Sequence, residues 1–183
     1  MKRPARATAA RLGVGLGAVV AGAAVVGHVT GWRRPVVAVV LHAGLMRWAV
    51  DALPAARPEL TARYYRVSPG EPALYRRLGV YSYMRLLRGL GWERFRRGAV
   101  GFTGRRAALG RLDRATREAE TNHVLLGLLG LTLAGLAARR RWWDAAAWQV
   151  LLVVLLHGYP VLLQRSLRAR LTRLSQGDGR RWP

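Results

Sequence analysis

The sequence predicts an all-α integral membrane protein with about four transmembrane helices and a basic amphipathic cytoplasmic segment between two helical hairpins. Composition leads to this fold class, since 51% of the 183 residues are hydrophobic while the formal net charge is +22. A soluble globular protein rarely combines these two features. Apolar spans separated by basic cytoplasmic segments account for both.

The first two apolar runs predict an N-terminal membrane hairpin over residues 1–53. A basic start precedes the run 12–29. We interpret this run as an uncleaved span rather than a secretory signal, because it ends without a good cleavage site and more apolar segments follow. The run 36–53 contains three ionisable side chains: His42, Arg47 and Asp51. A span needs about 20 mostly apolar residues, so this run either crosses the membrane or lies partly in the interface.

The central segment, residues 54–121, is rich in arginine and tyrosine. Between Leu74 and Leu90, apolar side chains recur near helical spacing with arginines between them, which predicts one amphipathic helix. Asp113 is the predicted N-cap of the next helix. Four glycines before that helix predict a loop: Gly98, Gly101, Gly104 and Gly110.

The basic and aromatic composition of the central segment also resembles that of proteins that bind single-stranded nucleic acid. Membrane spans on both sides tether the segment, which favours a helix lying on anionic lipid headgroups instead. The expected partner is therefore the lipid bilayer, and no nucleic-acid partner is expected.

Two further apolar runs, 124–138 and 145–163, predict a C-terminal membrane hairpin over residues 122–165, followed by a basic tail over 166–183. The turn between the runs carries two tryptophans, which suit the membrane interface. Pro160 predicts a kink in the second run because proline lacks a backbone N–H.

The distribution of basic residues predicts the orientation. With four spans, 25 of the 31 basic residues fall in the N-terminus, the central segment and the C-terminal end of the chain from Arg165 onward. The positive-inside rule then places all three in the cytoplasm. We therefore expect a multi-pass protein of the bacterial inner membrane with both termini cytoplasmic. Cysteine is absent, which excludes disulfides and a thiolate nucleophile.

Two polar clusters frame the C-terminal hairpin and form the predicted functional site. At its entrance, Glu120 and His123 are three residues apart and share a helix face. A carboxylate beside an imidazole is the arrangement of a general base and its orienting group. In the alternative interpretation, Glu120 pairs with an arginine and His123 merely ends the span.

The exit of the hairpin supplies the candidates for substrate binding: His157, Tyr159, Gln164, Arg165 and Arg168. His157 and Gln164 are two helical turns apart and so face the same way. His157 is alternatively a buried histidine that bonds to a neighbouring helix. The single Glu-x-x-His motif lacks the partner carboxylates of a di-metal bundle site, so neither a metal nor another cofactor is expected.

Three stretches within about residues 64–171 recur in a known family. They are Tyr75-Arg76-Arg77-Leu78-Gly79-Val80; Arg117-Glu118-Ala119-Glu120-Thr121-Asn122-His123; and Tyr159-Pro160-Val161-Leu162-Leu163-Gln164-Arg165 with Arg168, Arg170 and Leu171. In this order they resemble the glycosyl-4,4'-diaponeurosporenoate acyltransferase family, small membrane enzymes of bacterial carotenoid biosynthesis. The chain departs from the family pattern at Tyr83, Met84, His157, Ser166 and Leu167.

The resemblance implies transfer of a fatty acyl group from an activated acyl donor to a sugar hydroxyl of a lipid-soluble carotenoid glycoside. In that reaction, His123 is expected to act as the base on the hydroxyl and Glu120 to orient it. Gln164 and Arg165 are expected to hold the acyl carbonyl or the phosphates of the donor, because a guanidinium forks onto two oxygens. The alternative is a non-catalytic four-helix membrane protein that binds lipid or partner proteins.

Overall fold

The computed structural model describes residues 3–56, 58–68, 70–91 and 109–175, and in these ranges every regular element is helical. Four helical stretches are long and apolar enough to cross a membrane: Ala7–Thr30, Pro35–Ala56, Leu109–Arg139 and Trp143–Leu174. The predicted fold class, an all-α membrane protein with four such helices, is confirmed.

The described ranges contain seven α-helices. They are α1 (Arg3–Thr30), α2 (Pro35–Ala56), α3 (Glu71–Arg77), α4 (Val80–Gly89), α5 (Leu109–Arg139), α6 (Trp143–Val153) and α7 (Tyr159–Ser175). A short 3-10 turn covers Arg63–Tyr65. A π-helical turn, Val154–Gly158, joins α6 to α7.

The chain divides into two compact units, and each of them combines distant parts of the sequence. The first unit comprises Met1–Pro58 and Thr121–Gly158, and the second comprises Glu59–Glu120 and Tyr159–Pro183. The first unit therefore contains both short interhelical turns, and the second contains the short helices α3 and α4.

Close helix packing holds the first unit together. Helix α2 packs against α1 and α6, and its residues Leu45 and Ala49 form a core with Leu126 of α5. The Trp48 indole donates a hydrogen bond of 2.9 Å to the Leu12 carbonyl of α1. Elsewhere on α1 and α5, large apolar side chains face outward: Val14 is 74% exposed and Leu128 58%. Such an apolar exterior is typical of a lipid-facing surface.

The two short turns of the first unit lie at the same end of it. Arg33, in the turn between α1 and α2, forms a bidentate ion pair of 2.9 Å with Asp144, just after the turn between α5 and α6. This contact fits the predicted topology, in which both turns lie on one side of the membrane.

The second unit packs its short helices against α7. Tyr75 of α3 and Val80 of α4 are buried. The Tyr83 ring of α4 stacks on Tyr159 at the start of α7, with 4.9 Å between ring centroids.

The prediction of one amphipathic helix from Leu74 to Leu90 is wrong. The structure has two helices, because Gly79 adopts φ +73°, a left-handed conformation that ends α3. The apolar side chains of Leu74 and Leu78 are exposed rather than packed inward.

The start of α5 also differs from the prediction. The helix already includes Leu109 and Gly110, so Asp113 lies inside it and is not its N-cap. Asp113 instead forms an ion pair of 2.7 Å with Arg117, one helical turn later. The predicted loop glycines Gly98, Gly101 and Gly104 lie outside the described residues.

The helix around Pro160 changes its hydrogen-bonding pattern. Proline has no N–H to offer the carbonyl four residues earlier, which is that of Leu156, and its ring crowds that carbonyl. The residues directly before α7, Val154–Gly158, form a π turn. Turns of this type occur often at functional sites, and this one contains His157.

Two glycines of α5 allow a direct test of the packing in the first unit. A Cβ on Gly130 would lie 2.8 Å from His42 Cε1 and would also clash with Val153, whereas a Cβ on Gly135 would meet nothing within 4 Å. We expect Gly130→Ala to destabilise the protein by about 1–3 kcal/mol through overpacking. Gly135→Ala, the matched control, is expected to be neutral or slightly stabilising. Thermal unfolding of both variants in detergent measures the difference, and equal stability would contradict the packing.

Candidate functional site

Four polar side chains, three buried histidines and the half-buried Gln149, form a hydrogen-bonded chain in the first unit. Gln149 Oε1 lies 2.7 Å from His42 Nε2, and His42 Nδ1 lies 2.8 Å from His157 Nε2. His157 Nδ1 in turn lies 3.3 Å from His123 Nδ1. We call these four residues the histidine chain. All three imidazoles are buried.

The helices of the first unit position each member of the histidine chain. α2 carries His42, α5 carries His123, α6 carries Gln149, and the π turn carries His157. With a rise of about 1.5 Å per residue, His42 and Gln149 lie roughly 10 Å from the turn end of the unit. By the same estimate, His157 and His123 lie about 21–24 Å from it. The chain thus runs through the apolar middle of the spans.

Glycines let the helices approach closely enough for the imidazoles to meet. A Cβ on Gly127 would lie 3.5 Å from the Cβ of His157. Gly130 gives room to the ring of His42. Small residues are common where membrane helices pack closely, and here they bring α5 next to two histidines from other elements.

The geometry of the histidine chain does not suit a metal ion. His157 meets His42 through one ring nitrogen and His123 through the other. These nitrogens lie on different sides of the ring, so the three imidazoles do not converge on one point. Among the described residues, no group of three or more ligating side chains could hold a metal ion.

The second unit contains a separate cluster built around Glu120, whose side chain is 0% exposed. One of its oxygens accepts a hydrogen bond of 3.1 Å from Arg165, and the other accepts from Arg168. A buried carboxylate needs such partners, because an uncompensated buried charge is strongly destabilising. Both oxygens of Glu120 are thus taken up by arginines.

All five N–H groups of Arg165 are engaged. The Nε–H group bonds to Glu71 Oε2 and the Tyr75 hydroxyl, at 2.9 and 3.1 Å. Nη1 donates to the Tyr64 carbonyl and to Glu120, and Nη2 donates to the Arg66 carbonyl and to Glu71. A guanidinium has five donors and no acceptor. All donors of Arg165 thus have partners within the protein, and its role in substrate binding stays a prediction.

Arg168, one turn further along α7, keeps unused donors. Its Nε donates to the Tyr65 carbonyl at 3.1 Å, and its Nη2 donates to Glu120. The side chain of Arg168 is nearly fully buried, at 3% exposed. Its Nη1 is buried with no hydrogen-bond partner among the described residues. Buried polar groups are rarely left unpaired, so this nitrogen is suited to a ligand.

The other two candidates from the sequence also lie in the second unit. Gln164 is buried on α7. Tyr159 lies at the start of the same helix and stacks on Tyr83. Of the predicted site residues, the structure brings His123 together with His157 in the first unit, and Glu120 together with Arg165 and Arg168 in the second.

Sequence reasoning missed four polar residues of these clusters: His42, Gln149, Glu71 and Tyr75. The first two had a usable signal, because polar side chains inside apolar runs are costly and often functional. Glu71 had no comparable signal, and Tyr75 was named only as part of a family-like stretch. Their importance comes from Arg165, which lies about 90 positions later in the chain.

The ion pair between Glu71 and Arg165 makes the second unit sensitive to acid. Burial alone would raise the pKa of Glu71, but hydrogen bonds from Arg165, the Ser68 backbone N–H and Tyr75 lower it to about 2. Burial, and then the hydrogen bond to Glu71, raise the pKa of Tyr75 to about 12. Tyr75 therefore stays protonated and donates to the carboxylate at every ordinary pH.

We expect Glu71→Gln to remove part of the acid sensitivity of folding. The folded pKa of Glu71 is below its ordinary value of 4.5, so its stabilisation is fully present above pH 4.5 and is lost as the pH falls towards 2. A pKa lowered from 4.5 to about 2 corresponds to at most about 3.4 kcal/mol at 1.36 kcal/mol per pKa unit, and solvent screening of this partly exposed pair makes the change smaller. Thermal unfolding in detergent at pH 6 and pH 3 should show a smaller pH dependence in the variant. Glu59→Gln, in the same unit, is the control, and equal pH dependence in Glu71→Gln and wild type would contradict the assignment.

Comparison with known proteins identifies the family. A family model described as glycosyl-4,4'-diaponeurosporenoate acyltransferase matches residues 61–176, more than half of the chain. No curated protein and no solved structure gives a match. The matched range includes His123, His157, Gln149 and the Glu120 cluster, but not His42. The chain belongs to the glycosyl-4,4'-diaponeurosporenoate acyltransferase family, which indicates a membrane acyltransferase of carotenoid biosynthesis.

Proposed function

We propose that the protein transfers a fatty acyl group from an activated donor to a hydroxyl of a lipid-soluble acceptor of the carotenoid glycoside type. The observation that carries this proposal is the histidine chain, which ends at His123 inside the family-matched range. Buried imidazoles held by hydrogen bonds are suited to moving a proton between reacting groups.

In the proposed reaction, His123 is the general base. It removes the proton of the acceptor hydroxyl while the hydroxyl oxygen attacks the acyl carbonyl carbon. The new ester C–O bond forms, the bond between the acyl carbon and the leaving group of the donor breaks, and the proton passes from the imidazolium to that leaving group. The products are the acyl ester and the protonated leaving group, so no cofactor is needed.

His157 takes the orienting role that the sequence suggested for Glu120. The Glu120 carboxylate is held by two arginines in the second unit. His123 has an imidazole partner, His157. This residue lies in the π turn and orients the ring of His123.

The position of His123 suits a lipid-soluble acceptor and a polar donor. It lies about 24 Å from the turn end of the first unit, in a hydrocarbon layer about 30 Å thick. The Arg33–Asp144 pair places both turns at one end of the unit. If that end faces outward, as the positive-inside rule predicts, His123 lies near the cytoplasmic interface. Burial there also keeps water away, which favours acyl transfer over hydrolysis.

Arg168 is the proposed contact for the activated donor in the second unit. Its buried Nη1 carries N–H donors that Glu120 and the Tyr65 carbonyl leave unused. A charged donor of this kind suits an acyl carbonyl oxygen or a phosphate. Gln164 and Tyr159, on the same helix, remain proposed substrate contacts.

We expect His123→Ala to lower acyl transfer by a factor of about 10²–10⁴, the usual contribution of a general base. The assay measures esterified product from a glycosylated carotenoid and a fatty acyl thioester with the full-length protein in liposomes. His28→Ala is the matched control, because His28 is an exposed histidine of α1. Full activity of a correctly inserted His123→Ala protein would contradict the role of the base. No transfer by the wild type would favour the alternative, a non-catalytic lipid-binding protein.

We expect Arg168→Lys to weaken use of the acyl donor. Lysine keeps the charge opposite Glu120 but lacks the forked donors of arginine. The KM for the donor should rise by about tenfold, the effect of losing one hydrogen bond to a charged group. Arg170→Lys, an exposed change two residues away, is the control. An unchanged KM in Arg168→Lys would show that Nη1 does not contact the donor.

A further inference from the structure

We propose that His42 and Gln149 are positioning residues that fix the proton of His123 on Nδ1 and so leave Nε2 as the basic atom. This inference rests on the proposed function for its catalytic meaning, while the proton positions themselves can be measured without any reaction. It assigns a role to His42, which lies outside the family-matched range.

The argument starts at Gln149, because an amide oxygen can only accept a hydrogen bond. Gln149 Oε1 lies 2.7 Å from His42 Nε2. His42 Nε2 must therefore carry a proton and donate it. A neutral imidazole has one ring N–H, so Nδ1 of His42 has none and acts as an acceptor.

The donor and acceptor of each further hydrogen bond in the histidine chain then follow in turn. His42 Nδ1 accepts from His157 Nε2, at 2.8 Å, so the proton of His157 is on Nε2. His157 Nδ1 consequently accepts, and its partner at 3.3 Å is His123 Nδ1. His123 must donate from Nδ1, which leaves the lone pair on Nε2.

Gln149 thus sets the direction of all hydrogen bonds in the histidine chain. Without the oxygen of Gln149, His42 can adopt the tautomer with its proton on Nδ1 and donate to His157. His157 then donates from Nδ1 to His123, and the proton of His123 moves to Nε2. With the hydrogen bonds reversed, their number among the imidazoles is the same. Nε2 of His123 then carries the proton, however, and can no longer act as a base.

Nitrogen NMR of histidine-labelled, full-length protein in liposomes tests the proton positions, because protonated and unprotonated ring nitrogens have well-separated shifts. The protein has four histidines, and His28→Gln identifies the exposed one. We expect wild-type His123 and the Gln149→Glu variant, which retains acceptor oxygens, to carry the proton on Nδ1. In Gln149→Leu we expect it on Nε2.

Activity provides the second readout. We expect Gln149→Leu to lower kcat by about tenfold to a hundredfold with little change in KM, since only the general base is affected. Gln149→Glu should retain kcat within about twofold, a rescue that a purely structural role would not predict. His28→Gln should match the wild type in both readouts.

The outcomes separate this inference from the proposed function. A wild-type His123 with its proton on Nε2 would overturn the inference even if the protein is an active acyltransferase. So would a Gln149→Leu variant with unchanged proton positions and unchanged kcat. Conversely, the expected proton positions together with full activity of His123→Ala would leave the assigned direction standing and reject the catalytic role of His123.

Discussion

Imidazoles buried among membrane-spanning helices have no water to bond with. Their ring nitrogens must therefore form hydrogen bonds with one another, and the packing of the first unit follows from this constraint. In an apolar layer, each unpaired polar group costs several kcal/mol. The contacts of His157 with His42 and His123 meet this need only because α5 approaches closely at Gly127 and Gly130. The π turn before Pro160 belongs to the same solution, since it carries His157. Packing and polarity therefore specify one arrangement together.

In the second unit, ion pairs and hydrogen bonds to arginines satisfy the buried polar groups. A single guanidinium, that of Arg165, bonds to the backbone beside the 3-10 turn, to α3 through Glu71 and Tyr75, and to Glu120 on α5. The fully buried Glu120 has two cations beside it, Arg165 and Arg168. Short helices such as α3 bury little apolar surface of their own. The arginine contacts, rather than a large core, hold these segments against α7.

Hydropathy and charge in the sequence were sufficient to predict four helices long and apolar enough to span a membrane. Motif spacing selected Glu120, His123, Gln164 and both arginines of α7 as candidate site residues, and their roles stay predictions. Long-range partners could not be found in this way. His42 bonds to residues 107 and 115 positions away, and no local pattern carries that pairing. The break at Gly79 was also missed, because periodic apolar residues continued across it while the left-handed backbone of one glycine ended the helix. Spacing showed which residues share a helix face. The number of N–H donors that each arginine of α7 keeps unused depends instead on tertiary contacts.

Arg165 and Arg168 illustrate why the number of unused hydrogen-bond donors matters for ligand binding. They are three residues apart on one helix, and sequence alone gives both the same chemistry. The structure uses every N–H of Arg165 to join parts of the second unit, whereas Arg168 retains Nη1 in a buried position. A ligand at Arg165 would have to replace a bond that the protein already makes. A ligand at Arg168 would add one, so the net free energy of binding favours Arg168. The same reasoning distinguishes Glu120 from His123. Both oxygens of Glu120 already accept hydrogen bonds from arginines. In the direction that we propose for the histidine chain, Nε2 of His123 keeps a lone pair that can act as a base.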